Sequence, residues 1–304
     1  MRAMCRSLAA VLFCAAAAET YGDGFVAGRI YSSYDGGFVE WDTSLQVTRS
    51  VPISGLGGAT GIVFNGAGNM VMIGYRQNAP RLLEVDGFGQ IIRSTTLNTG
   101  GSLLRGSYVD YNAATNRYVV AEERRVRLLD ADFNTVAVSA DVFTRASGVA
   151  FGAGGVVYAV DQTNGTLRVF TAGLQPISNL SIGGWVRTGM ELANNGDLLL
   201  TAFGDGTIQR WSPPAGPVST IVSGLGYGNL SDVDQLPDGR IVSISASNTL
   251  NLYTQTGQLL ATGTFGAFGD GVAYFVPAPS SGLAAVLGFA LVHRRGRRLR
   301  SYAD

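Results

Sequence analysis

This sequence predicts an all-β fold, a six-bladed β-propeller of four-stranded blades, and three observations predict it. A phrase made of a hydroxyl or acid, a small residue and an alternating apolar run returns six times. Its anchors are Gly61, Tyr108, Gly148, Gly189, Asp232 and Gly271, spaced 47, 40, 41, 43 and 39 residues apart. A period near 40 residues built from several short strands is the signature of a propeller blade. Composition agrees: 42 Gly and only 14% charged residues suit many short strands joined by turns that need positive φ. The third observation is that the two ends of the chain complete one another as a sixth blade.

The innermost strands read Thr60-Gly-Ile-Val-Phe64, Ser107-Tyr-Val-Asp-Tyr111, Ser147-Gly-Val-Ala-Phe151, Thr188-Gly-Met-Glu-Leu192, Ser231-Asp-Val-Asp-Gln235 and Asp270-Gly-Val-Ala-Tyr274. Second strands follow over Met70–Gly74, Arg117–Ala121, Val156–Val160, Asp197–Thr201 and Arg240–Ile244. Third strands end on a large apolar residue and then a turn former: Val85-Asp86, Leu129-Asp130, Phe170-Thr171, Trp211-Ser212 and Tyr253-Thr254. An Asp, Ser or Thr oxygen at that point can accept backbone N–H groups of the next turn. Fourth strands begin at pairs such as Ile91-Ile92 and Leu259-Leu260.

After the sixth anchor only one strand precedes Pro277, and the missing three are at the other end. Gly24–Ser32 reads as a second strand, Phe38–Asp42 matches the third-strand phrase, and Val47–Ile53 reads as the fourth. The last blade is thus expected to take its inner strand from the C-terminal end and three outer strands from the N-terminal end. Such closure removes exposed sheet edges. Seven blades or an open β-solenoid are the competing architectures, and the complementary ends argue against the open one.

Three segments are expected: a signal peptide over 1–18, a propeller domain over 19–276 and a tail over 277–304. The first carries Arg2 and Arg6, an apolar run from Leu8 and a small-residue end at Ala16–Ala18. Both cysteines, Cys5 and Cys14, lie within it, so cleavage after Ala18 leaves no thiol and no disulfide. The tail reads Val276, Pro277, Ala278, Pro279, then an apolar stretch from Gly282 to Val292 expected as a short helix, then Arg294, Arg295, Arg297, Arg298 and Arg300. A proline motif, an apolar stretch and a basic stop resembles the PEP-CTERM sorting tail of exosortase substrates. Ala278 stands where that family usually has Glu, and the apolar stretch is shorter than the ~20 residues of a spanning helix. The resemblance implies an exosortase-type sorting protease as partner, a transient inner-membrane tether through the C-terminal helix, and final placement at the cell surface or in the matrix. A simple anchor with a positive-inside stop is the plainer alternative.

The chain has 22 basic and 22 acidic groups, no Lys, and one His. Seven of the basic groups and one acid lie in the first 18 and last 26 residues, so the middle carries a net charge of −6. An acidic domain without a basic stripe argues against nucleic-acid binding. The one histidine, His293, lies in the tail. That withholds from the propeller a Ser-His-Asp triad, a Cys-His pair, a His-ligated zinc and a His general base.

Carboxylates and arginines remain. Two positions past the anchors stand Val63, Asp110, Ala150, Glu191, Asp234 and Ala273. Asp110, Glu191 and Asp234 are candidate ligands for Ca²⁺, which takes oxygen donors, although acids solvated in the channel or paired with Arg explain them as well. The overall plan resembles the NHL and gluconolactonase-like propellers, and the latter use acids and Asn on inner strands; Asn229 lies near Asp234. Arg105, Arg145 and Arg187 precede three consecutive anchors, and three guanidiniums at one mouth would clamp an anionic ligand. The competing assignment is a structural pairing with Asp110 and Glu191. The hydroxyl column Thr60, Ser107, Ser147, Thr188, Ser231, with Asp270 sixth, is expected to bond backbone groups. Trp41, Trp211 and Tyr253 are expected to pack between blades. No catalytic residue and no required cofactor is assigned. A surface-displayed binding or scaffold module with a glycan or protein ligand is the function expected, with an extracellular carboxylate-dependent hydrolase or lactonase, with or without Ca²⁺, as the alternative.

Overall fold

The computed structural model describes residues 20–21, 24–76, 79–97, 108–183, 187–214, 216, 218–226, 228 and 230–277. They form six four-stranded antiparallel sheets arranged as a ring. Blade 1 comprises Leu56–Phe64, Met70–Arg76, Ala79–Val85 and Ile91–Thr96. Blade 2 comprises Val109–Asn112, Arg117–Glu122, Arg125–Leu129 and Thr135–Val138. Blade 3 comprises Ala146–Phe151, Val157–Asp161, Thr166–Phe170 and Pro176–Ser181. Blade 4 comprises Arg187–Leu192, Leu198–Ala202, Thr207–Trp211 and Val218–Val222. Blade 5 comprises Asp232–Gln235, Ile241–Ile244, Thr249–Tyr253 and Leu259–Thr264.

Blade 6 closes the ring as the sequence predicts. Val272–Tyr274 pairs with Ile30–Tyr34, which is followed by Gly37–Trp41 and Val47–Pro52. One boundary differs. The expected second strand over Gly24–Ser32 is broken by a turn at Gly28 (φ +77°), and only Ile30–Tyr34 joins the blade. The residues before the turn form a separate pair, Thr20–Tyr21 with Phe25–Val26. Among the described residues the only helix is the short 3₁₀ turn Ala153–Gly155, and no helix is long and apolar enough to cross a membrane. The expected signal peptide and tail helix lie outside the described residues.

Six apolar clusters, one per junction between neighbouring blades, make up the core. The third-strand residues Trp41, Trp211 and Tyr253 are buried in them as expected. Trp41 also donates from Nε1 to Ser32 Oγ at 2.9 Å, which satisfies its polar atom inside the core. In five blades the turn former after the third strand accepts a backbone N–H as predicted, Thr254 from Gln258, whereas Ser212 donates to Asp197 Oδ1. Asp42 Oδ1 accepts the N–H groups of Ser44 and Gln46, and Asp86, Asp130 and Thr171 repeat the arrangement. In three of these turns a large residue takes the left-handed conformation: Leu45 (φ 60°), Phe133 (φ 66°) and Leu174 (φ 60°). Each joins the core it shares with the preceding blade. Burial there outweighs the backbone strain such residues normally incur.

The anchors are small because the inner strands crowd one another at the axis. A Cβ on Gly61 would lie 2.7 Å from Tyr108 Cδ1, and one on Gly148 would lie 2.7 Å from the Thr188 carbonyl. On Gly189 it would lie 2.6 Å from Asp232 Cα, and on Gly271 it would lie 3.0 Å from Gly61 Cα. Each anchor thus abuts the next blade. Gly189→Ala should lower the unfolding free energy by about 1–3 kcal/mol, the range for an overpacked site. Gly266→Ala, where nothing lies within 4 Å of the added carbon, should be close to neutral. Urea unfolding of the two variants measures the contrast.

Candidate functional site

The axis is where the sequence places its charged candidates. Two anchors are not glycine. Tyr108 is 3% exposed, and its ring spans the channel from blade 2. Its hydroxyl donates to the carbonyl of Ser231, and the Asp270 carbonyl lies 3.3 Å away. Asp232, the other, accepts the N–H of Val272 on blade 6 at 3.1 Å.

One layer deeper the same device recurs. Asp110 Oδ2 accepts the N–H of Phe151 on blade 3 at 2.7 Å, and Asp234 Oδ2 accepts that of Tyr274 on blade 6. Both also accept the N–H of the residue after themselves. In every case the donor is an N–H one place further along the next inner strand. The physical reason is an edge. An inner strand has no sheet partner on its channel side, so its backbone donors need acceptors. A channel aspartate from the neighbouring blade supplies one. The hydroxyl column also works between blades: Thr188 Oγ1 donates to the Leu230 carbonyl at 3.3 Å and Ser231 Oγ to Asp270 Oδ1 at 3.0 Å. Thr201 on a second strand accepts from Gly189 N at 2.7 Å and donates to the Ser231 carbonyl. Ser33 does the same between Gly271 N and the Thr60 carbonyl.

Among the described residues the axis holds a cavity of about 20 Å³, with Tyr108, Asp110, Glu191 and Asp232 in its walls. That is room for one water molecule. Asp110, Glu191 and Asp234 stand on inner strands, each partly exposed and hemmed in by the ring. Burial pushes Asp110 up to about 6 against the pull of its backbone hydrogen bonds. Burial and then the charge of Asp110 raise Asp234 to about 7, again against backbone hydrogen bonds. Glu191 is pushed well above the carboxylate range by burial and by the charges of Asp234, Asp110 and Asp232. Burial likewise raises Asp232 and the Tyr108 phenol. The three acids singled out from the sequence are therefore brought within electrostatic reach of one another. No arginine among the described residues forms an ion pair with them. Nor is any group of three or more His, Cys, Asp or Glu side chains among the described residues arranged to hold a metal ion.

The predicted arginine cluster falls largely outside the described residues. Arg145 is partly buried beside its strand, with its N–H directed at Asp161 Oδ1 and its carbonyl accepting from Gln162. Arg187 opens the inner strand of blade 4, and Arg105 lies outside the described residues. Of the tail motif, Val276 and Pro277 are described; Pro279, Arg294, Arg295, Arg297 and Arg298 lie outside. Sequence reasoning missed Tyr108 and Asp232 as functional positions. Their signal was visible, since they are the two departures from glycine in the anchor column.

No protein-family model matches the chain, and no curated protein matches it in sequence. Solved structures match in fold. A protein of unknown function from Bacteroides caccae superposes with a TM-score of 0.62 at 8% identity, covering 80% of this chain and 97% of that one. A chain of a nidogen/laminin complex gives 0.66 at 11% identity with the same coverage. Virginiamycin B lyase from Staphylococcus aureus gives 0.51 at 11% identity, covering 67% and 69%. At these identities the likeness shows the fold alone.

The channel acids carry more protons folded than unfolded. Their contribution to stability is full below the unfolded pKa near 3.8 and is lost as pH rises through about 6 and 7. Urea unfolding should therefore show stability falling between pH 5 and pH 8. Glu191→Gln should flatten that dependence and raise stability at pH 8. A stability that climbs over this interval would contradict the assignment.

Proposed function

We propose that this chain is an exported β-propeller that acts as a non-catalytic binding platform, displayed at the cell surface or held in the matrix. The observation that carries the reading is the closed axis. Tyr108 crosses the channel, three axial aspartates accept an N–H from the next blade, and the cavity that the described residues leave there, about 20 Å³, is too small for an organic substrate. Binding is thereby assigned to the faces and junctions of a ring held by six inter-blade cores. Residues 1–18 and 277–304 support export followed by sorting, with a transient membrane tether and an exosortase-type protease as partner. The net charge of the middle segment speaks against nucleic acid as ligand.

The similar structures include a complex between two proteins and a lyase, so the architecture serves both association and catalysis. A carboxylate-dependent hydrolase or lactonase is the second reading, and the gathering of Asp110, Glu191 and Asp232 around one cavity favours it. It requires a substrate to displace Tyr108.

Two measurements test the proposal. In a lactone and glycoside screen from pH 5 to 8, the chain and its Glu191→Gln variant should be indistinguishable; turnover lost with Glu191 would establish the hydrolase. In cell fractionation, the full chain should pass through a membrane-associated form before reaching the surface, and deletion of residues 277–304 should abolish that form. A full chain that stays in the cytoplasm would sink the export reading.

A further inference from the structure

Two of the six blades carry a buried glutamate at the same place on the third strand, paired across to an arginine on the fourth. Glu40 meets Arg49 and Glu84 meets Arg93, each with a closest approach of 2.6 Å. The corresponding residues of the other blades are Leu128, Val169, Arg210 and Leu252. The two pairs stand at neighbouring junctions, blade 6 with blade 1 and blade 1 with blade 2. At one junction the chain fills the space beside the pair. At the other the described residues leave it open.

The filled junction shows how an occupant is held. Phe25 is fully buried there, with its ring centroid 5.0 Å from Phe64 and 6.0 Å from Phe275. The occupant's backbone is read by the charged pair. Arg49 donates to the Gly24 carbonyl. The Val26 N–H donates to Tyr31 Oη at 2.8 Å, and Tyr31 Oη donates to Glu40 at 3.1 Å. Gly24–Val26 thus leaves a turn at Gly24 (φ +85°) as a short strand that inserts an aromatic side chain and is bound by the ring its own chain forms.

At the next junction the counterparts line an open cleft of about 300 Å³. Tyr111 takes the place of Phe64, three residues past the anchor, and Asn65 takes that of Phe275, four residues past it. Glu84 lies in the cleft wall, 1% exposed, oriented by Asn65 Nδ2 at 2.8 Å and Asn69 Nδ2 at 2.7 Å. Arg93 is steadied by the Ala131 carbonyl at 2.6 Å and Asp132 at 2.8 Å. Tyr118 stacks obliquely on Tyr111 with centroids 5.0 Å apart.

We propose that this cleft binds an extended polypeptide segment from a partner, seated as Gly24–Val26 is seated at the neighbouring junction. Its chemistry follows from the substitutions. Arg93 is already matched by Glu84 and Asp132, so the cleft holds no surplus positive charge for an anionic ligand. Asn65, Tyr111 and Tyr118 replace an apolar lining with amide and phenol groups. The inserted side chain is therefore neutral and polar, and a tyrosine meets both the Tyr111 ring and the Asn65 amide. The cleft volume is at the small end for ligand sites, which suits one inserted residue with its flanking backbone.

The inference rests on the binding-platform reading and is tested apart from it. The probe is a fluorescein-labelled peptide of the chain's own residues 20–28 carrying Phe25→Tyr, titrated into the full chain by anisotropy. Saturable binding is expected. Ala113→Trp, an exposed residue at the cleft wall, should weaken it about tenfold or more. Ala153→Trp, exposed at the equivalent place one blade on, should leave it unchanged. Thermal melts of both variants exclude misfolding. Absent binding, binding insensitive to Ala113→Trp, or displacement of the peptide by a neutral monosaccharide would each overturn the assignment. Any of these would leave the platform reading standing on its own turnover and export tests.

Discussion

Six sheet edges meet at the axis of this molecule, and every one of them needs its backbone donors satisfied in a space too narrow for side chains on every strand. That constraint organises the rest. Four anchors are glycine because a Cβ would strike the next blade's anchor. Aspartates on blades 2 and 5 reach one blade forward and accept an N–H. Hydroxyls on first and second strands bridge the same gaps. A ring closed this way has no free inner edge to recruit a foreign strand.

The arrangement has an electrostatic consequence. Accepting backbone N–H groups favours ionised carboxylates, whereas burial and mutual repulsion oppose ionisation. Burial is the largest cause at Asp110, Glu191, Asp232 and Asp234. The axis therefore combines donors that favour anions with a site too confined to hold several of them. Protonation relieves that conflict, so the fold is most stable where the acids are neutral. Perturbed carboxylates of this sort usually mark an active site. Here the same perturbation follows from closing the ring, which is why raised pKa values alone do not make this channel catalytic.

Much of the fold was legible in the residues. The repeat, the blade count, the closure by both ends and the turn formers after Asp42, Asp86, Asp130 and Thr171 all follow from period and local turn chemistry. The start of the final blade was not legible, because Gly28 breaks an apolar run that reads as one strand and only the fold shows where Phe25 is buried. The site was legible in part. Spacing put Asp110, Glu191 and Asp234 in one layer, but nothing in a single strand announces that an aspartate will bond the next blade. Nor does sequence show that Glu40 and Glu84 occupy equivalent junctions with different occupants. That difference depends on where Gly24–Val26 folds back.

The axis is a closed structural core whose acids form a confined, mutually repelling cluster, and a carboxyl ¹³C NMR titration of the folded chain tests this most directly. Asp110 and Asp234 should titrate near 6 and 7, with Glu191 and Asp232 also displaced upward. Midpoints near the ordinary carboxylate value of about 4 would mean a hydrated, open channel. The axis would then return as the place where this protein binds or transforms its ligand.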